Sequence, residues 1–150
     1  MKRSSSEYLM KEYQPGDGTI PAPQERGGWI VHKFLDKPAY TDGYVVLMGA
    51  PPVGNVSSLS PSADKIEAVL PRKTKKLTPL RFVPLEQPGW PDYIWFQDLI
   101  YPIQALYYDH ILSRYPDAVF RAPLKGNPEL PIAIESGGKI VGAVMAVRIG

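Results

Sequence analysis

Apolar residues in this chain come in short runs separated by turn formers. Trp29-Ile30-Val31-His32-Lys33-Phe34-Leu35 is rich in β-branched and aromatic residues and is bounded by Gly27-Gly28 and Lys37-Pro38. That composition predicts a strand. Tyr44-Val45-Val46-Leu47-Met48 predicts a second, entered through Thr41-Asp42-Gly43, because glycine tolerates the positive φ of a tight turn. The two strands are expected to pair across that connection. Leu80-Arg81-Phe82-Val83 predicts another strand, and Tyr93-Ile94-Trp95-Phe96 is a further apolar, aromatic segment.

One stretch follows the helical period. Ile103, Leu106, Tyr107, His110 and Ile111 recur at i, i+3, i+4, i+7 and i+8, a single stripe on a helix over 102–115. Pro102 suits the first helical position and Pro116 ends the element. Asp109 and Arg114 fall off the stripe and are expected in water. A shorter helix is expected over 63–70, capped by Ser60 or Ser62, with Ile66, Val69 and Leu70 on its apolar face and Pro71 as its stop.

The chain closes with Leu130-Pro131-Ile132-Ala133-Ile134, a Ser136-Gly137-Gly138 turn, and an apolar run from Ile140 to Ile149. These predict a terminal hairpin. Pro131 lacks a ladder donor, so Leu130–Ile134 is expected to keep an unpaired side there. The last strand carries few polar residues, which predicts that both faces are covered near its middle. The order of elements predicts an α+β fold: an antiparallel sheet with two helices on one face. Residues 1–27 hold Pro15-Gly16-Asp17-Gly18 and Pro21-Ala22-Pro23 and are expected to form an extended or partly disordered arm. Tyr8, Leu9, Met10 and Tyr13 give that arm a means of docking on the body or on a second subunit. Residues 28–150 are then one domain.

Composition narrows the function classes. The chain has 150 residues and 44% apolar content, enough for one domain with a core. Its 17 prolines are roughly twice the usual ~5% share, which favours turns and interrupted elements over a helical bundle. Net charge of +2 names no partner. The lack of cysteine removes disulfides, thiolate metal sites and cysteine nucleophiles, and agrees with a reducing, cytoplasmic setting. No run approaches the ~20 apolar residues of a membrane span. Met1-Lys2-Arg3-Ser4-Ser5-Ser6 has no apolar run behind it, so a secretory signal is not expected.

The closing elements resemble the domains of bacterial DNA sliding clamps. Asn127-Pro128-Glu129-Leu130-Pro131-Ile132-Ala133-Ile134, the Gly137-Gly138 turn and Val144-Met145-Ala146-Val147-Arg148 are similar to the family's last strands. Tyr40-Thr41-Asp42-Gly43-Tyr44-Val45-Val46-Leu47 looks like its Thr-Asp-Gly hairpin, and the 102–115 helix occupies the place of a clamp's inner helix. The resemblance implies a single clamp-type domain acting on DNA by assembly, with about six copies needed to close a ring, and it would suit a phage or mobile-element protein. Ala146 stands where the family's closing strand has proline. The helix carries Arg114 beside Asp109 rather than a basic row.

Among candidate sites, Arg72, Lys73, Lys75 and Lys76, with Arg81 after them, form the concentrated charge of the chain. Such a cluster can neutralise phosphates in a salt-dependent way, or simply face solvent. Trp90, Tyr93, Trp95 and Phe96 head an aromatic region suited to a subunit interface, to base stacking, or to a core edge. His32 and His110 show no metal-ligand spacing, and His110 is expected as a hydrogen-bonded, partly buried residue. No G-x-S-x-G elbow, P-loop or dinucleotide fingerprint is present. Asp42 and Asp92 sit in turn contexts, where carboxylates bond nearby backbone. These readings point to a non-enzymatic domain without metal or cofactor, whose partners are DNA and other copies of itself. The alternative is an α+β interaction or scaffold module that does not bind nucleic acid. An enzyme would need a pocket that joins a histidine to carboxylates.

Overall fold

In a computed structural model of the chain, most of the short apolar runs become strands. The structure describes residues 8–10, 13–23, 27–57, 70, 74–83, 92–97, 101–123 and 131–147. In chain order the elements are β1 (Tyr8–Leu9), β2 (Ile30–Phe34), β3 (Lys37–Thr41), β4 (Val45–Met48), β5 (Thr74–Lys76), β6 (Pro79–Val83), β7 (Tyr93–Phe96), β8 (Ile103–Gln104), α1 (Ala105–Arg114), β9 (Val119–Pro123), β10 (Ile132–Ser136) and β11 (Lys139–Val144). A seven-stranded sheet runs β2-β3-β4-β11-β10-β9-β5, and a four-stranded sheet runs β1-β6-β7-β8. Every pairing in both is antiparallel.

The expected pair of helices on one face of the sheet is overturned, although the fold stays broadly α+β. Among the described residues the chain is mostly β, 43% strand against 12% helical, with one helix. The shorter helix expected over 63–70 lies outside the described residues, except for Leu70. Short β-branched runs broken by proline and glycine favour strands, and among the described residues it is 105–114, uninterrupted by either, that coils.

Strand pairing also differs from expectation. β2 does not pair directly with β4, because β3 lies between them. The turn that creates β3 is Leu35-Asp36, with φ of 48° and 63°. Both residues sit in the left-handed region of a two-residue hairpin turn, at a cost of roughly 1–2 kcal/mol per residue. Nothing in a Leu-Asp pair announces that conformation, since Asn-Gly is the usual signal. Asp42 then closes the β3–β4 turn. Its Oδ1 accepts the backbone N–H of Tyr44 at 2.9 Å and of Val45 at 3.1 Å.

The helix is shorter than its stripe. Pro102 precedes it, and Ile103 and Gln104 are extended and paired with Ile94 and Tyr93 of β7. Ala105 donates its N–H to the Asp92 carbonyl at 2.8 Å, which satisfies one of the donors at the helix start. Tyr115 donates back to the Ile111 carbonyl, and Pro116 prevents a further turn. The stripe holds where the coil exists: Ala105, Tyr107, His110 and Ile111 are buried.

The register puts Tyr40, Leu47, Gly142, Ile134 and Phe120 in one row across the large sheet. This face packs with Ile94, Phe96, Ile103, Tyr107 and Ile111 as the main core. Each fully buried aliphatic or aromatic side chain there contributes about 1.5–3 kcal/mol. Gly142 is needed in the row, because a Cβ would lie 2.2 Å from the Val46 carbonyl oxygen. Phe34, Ala39, Val46 and Ala143 belong to the opposite face and form a second cluster. β11 is therefore covered on both faces, as its composition predicts. It ends at Val144 rather than continuing to Ile149. β10 is paired on both edges, with β9 and β11. Pro131 lies just before the strand and so leaves no gap in the ladder.

Part of the expected arm is packed on the body. Met10 and Tyr13 lie against the main core, and Ile20 is buried in it. Among the described residues no helix is long and apolar enough to cross a membrane.

Candidate functional site

Two groups of polar residues emerge from this architecture. The first lies where α1 meets β3, β4 and residues 13–18. The helical period brings Tyr107, His110 and Arg114 to the sheet side, while Asp109 faces the N-terminal segment. His110 is 2% exposed. Its Nδ1 is 2.8 Å from the Gly18 carbonyl and its Nε2 is 2.7 Å from the Tyr40 hydroxyl. A carbonyl only accepts, so Nδ1 carries the proton and Nε2 accepts from Tyr40. Burial lowers the His110 pKa, the Gly18 bond opposes this, and Arg114 adds to it. The neutral imidazole fits this setting.

The neighbouring groups are tied in the same way. Tyr107 donates to the second oxygen of Asp42. Its phenol is raised above the usual range, first by burial and then by that carboxylate. Tyr13 donates to Asp109 at 2.6 Å, and the Gly16 N–H donates to the other Asp109 oxygen at 3.0 Å. Burial is again the main reason the Tyr13 phenol is raised, with Asp109 next. Tyr40 is pushed up to about 12, chiefly by burial. Arg114 stands over the Tyr40 ring at 5.4 Å and donates to the Ala50 carbonyl at 2.9 Å. Tyr115 donates to the Met48 carbonyl at 2.7 Å. Asp109 is thus bonded to the N-terminal segment rather than left in water. This network locks helix, hairpin and N-terminal segment together. It presents no nucleophile with an adjacent base.

The two histidines do not converge. His32 pairs in register with Ala39 and so lies on the sheet face opposite Tyr40. Its Nδ1 bonds the Lys33 carbonyl at 2.8 Å, and its Nε2 is buried with no hydrogen-bond partner. Among the described residues no three of His, Asp or Glu stand close enough to hold a metal ion.

The second group lies at the edge of the large sheet. Of the basic run, Lys75 and Lys76 fall on β5, the outermost strand, while Arg72 and Lys73 lie outside the described residues. Lys76 is exposed and its Cα partner is Arg121. Arg121 donates to the Thr74 hydroxyl at 2.9 Å and pairs with Glu135 at 3.5 Å. That pair is partly exposed and contributes about 0–1 kcal/mol to stability. Lys75 is half-buried and partners Ala122 on the other face of the strand. Arg81 lies on β6, with Trp95 as its Cα partner.

Strand alternation separates the aromatic residues. Phe96 is 2% exposed and packs in the core with its ring tilted against those of Phe120 and Tyr108. Tyr93 and Trp95 are half-buried on the other face of β7. Trp90 lies outside the described residues. Sequence reasoning missed Arg121. The only signal was one arginine inside an apolar strand, and its meeting with Lys76 depends on a register that no local pattern specifies.

Comparison of the chain with protein-family models, with curated proteins and with solved structures finds no match in any of the three.

Proposed function

We propose that the chain is a non-enzymatic DNA-binding domain of clamp-like character, which meets phosphates at the β5 end of its seven-stranded sheet. The observation that carries this reading is the register pair Lys76–Arg121. It sets Lys76 of the outermost strand beside Arg121 of its neighbour β9, with Glu135 as the acid in ion-pair reach of Arg121. The basic sequence Arg72-Lys73 leads directly into that strand. Helix α1 is a poor candidate for the contact. Its buried face joins the core, and Asp109 holds the N-terminal segment against it.

The test is DNA affinity across a salt series. Binding at low salt should weaken as salt rises, and Lys76→Glu with Arg121→Glu should reduce the log–log slope by about 1 per lost phosphate contact. No binding at about 50 mM salt, where phosphate contacts are strong, would sink the reading.

A second reading, an interaction module that acts by self-assembly, draws on the sheet's other end. There β2 is the last strand and Val31 is 45% exposed, and an exposed strand edge can template pairing with another chain. Absolute mass by light scattering on a sizing column decides it. A closed oligomer of three or more subunits supports assembly, and a concentration-independent monomer removes it.

A further inference from the structure

Residues 13–23 form neither strand nor helix, yet they are fixed to the body at several points. Tyr13 and the Gly16 N–H donate to Asp109, and the Gly18 carbonyl accepts from His110. Asp109 and His110 are neighbours on α1. The Tyr13 ring stands edge-on to Tyr108 at 5.9 Å, and Ile20 is buried in the main core. Gly18 has a φ of 83°, and a Cβ there would lie 2.5 Å from the Ser113 hydroxyl oxygen. The backbone therefore passes close over the helix, and the segment lies across α1 as a strap. His110 is the buried titratable group beneath it, with Nδ1 donating to the strap and Nε2 accepting from Tyr40. A second proton on this ring has to go to Nε2, where the Tyr40 hydroxyl now points. Both nitrogens are taken, so no carboxylate pairs with the ring. Arg114 on α1 opposes a positive charge there, and Asp42 at the β3–β4 turn favours it. Asp42 is itself engaged by Tyr107, Tyr44 and Val45, Asp109 by Tyr13 and Gly16, and Asp17 on the strap by the Thr19 N–H. A buried cation without a partner is costly, and something must move to let water reach it. Tyr40 is held in the β3 ladder. The strap, which has no ladder, is the element that opens at least cost.

We propose that residues 13–20 are an acid-released strap: proton uptake by His110 lifts the segment from α1 and uncovers the Tyr108 side of the helix. With the strap closed, burial holds the His110 pKa below its ordinary 6.5. With the strap lifted, water reaches the imidazole and that ordinary value returns. The open form therefore binds the proton first as pH falls through 6.5. Its population grows by up to about tenfold for each pH unit below that point, the limit for one linked proton. Tyr108 stacks on Phe120 at 5.4 Å on the core side, so opening changes what covers Tyr108 and leaves β10 and β11 in place.

The chain has no cysteine, so one introduced thiol reports the opening of its own surroundings. Ile20→Cys places it under the strap, and Val144→Cys places it in β11 at 0% exposure as a control. Labelling by dithiodipyridine is measured in the full chain, as a ratio to the same variant in denaturant at each pH, which removes the intrinsic reactivity of the thiol. Between about pH 7.5 and about pH 5.5 the Ile20→Cys ratio should rise, by up to about tenfold per unit below 6.5, while Val144→Cys stays level. Adding His110→Gln, which keeps a polar side chain but takes up no proton, should flatten the rise. Hydrogen exchange in peptides spanning 13–23 of the unmodified chain, corrected for intrinsic rate, should follow the same course, and it decides the matter if Ile20→Cys labels fast at every pH. Exchange that does not change with pH overturns the strap. So does an equal rise at Val144→Cys, which would mean global unfolding, or an undiminished rise with His110→Gln, which would place the proton elsewhere.

Discussion

Replacing His110 with leucine would test whether the buried imidazole is what joins the N-terminal segment to the hairpin. His110 is 2% exposed, and both of its nitrogens are bonded, to the Gly18 carbonyl at 2.8 Å and the Tyr40 hydroxyl at 2.7 Å. Leucine fills much of the same volume but removes both bonds. Two polar groups are then left without partners, one on Tyr40 at 0% exposure and one on the buried Gly18. Each such group costs about 1–3 kcal/mol, so the substitution should destabilise by about 2–6 kcal/mol. With a urea slope of about 2 kcal/mol/M, the unfolding midpoint should fall by about 1–3 M. Tyr40→Phe removes only the hydroxyl and should lose less. The double variant should lose less than the sum, because one bond is shared. A His110→Leu unfolding free energy within about 0.5 kcal/mol of the parent, or strict additivity, would refute the assignment.

The same residue predicts a pH dependence. Burial holds the folded-state pKa of His110 below its ordinary 6.5, with Arg114 adding to this and the Gly18 bond and Asp42 opposing it. The unfolded chain therefore takes up the proton first as pH falls. Stability from this group is full above pH 6.5 and declines as pH drops from there toward the folded-state pKa. Urea midpoints measured across this range should show that decline in the parent and a flatter profile in His110→Leu.

Two further predictions follow from close contacts. Gly142→Ala brings a Cβ to 2.2 Å from the Val46 carbonyl oxygen and 2.8 Å from a Leu47 methyl. It should destabilise by about 1–3 kcal/mol and lower the melting temperature by about 3–10 °C, and an unchanged melting temperature would contradict the register. Asp42→Asn replaces the carboxylate that accepts from Tyr107 and from the turn amides of Tyr44 and Val45. Tyrosinate absorbance on alkaline titration should then show Tyr107 ionising at lower pH than in the parent; an unchanged curve would mean that burial alone raises it.

Much of the chain's local structure was written in its residues. Period-two and β-branched runs marked β2, β4, β6 and β11, because a strand needs only that composition over a few residues. The stripe of Tyr107, His110 and Ile111 marked α1, because side chains three and four apart share a helix face. His110 was also legible as a bonded, buried histidine, since a lone polar residue on an apolar stripe must find partners inside. What tertiary structure decided was how these pieces meet. The Leu35-Asp36 turn inserted β3 and changed which strands are neighbours, through a left-handed conformation that those residue types do not signal. Pairing of Ile103 and Gln104 with β7 drew them out of the helix, because ladder bonds there outweighed an extra turn of coil. The encounter of Lys76 with Arg121 depended on bringing together segments 45 positions apart in the sequence, and local propensity carries no information about such long-range register.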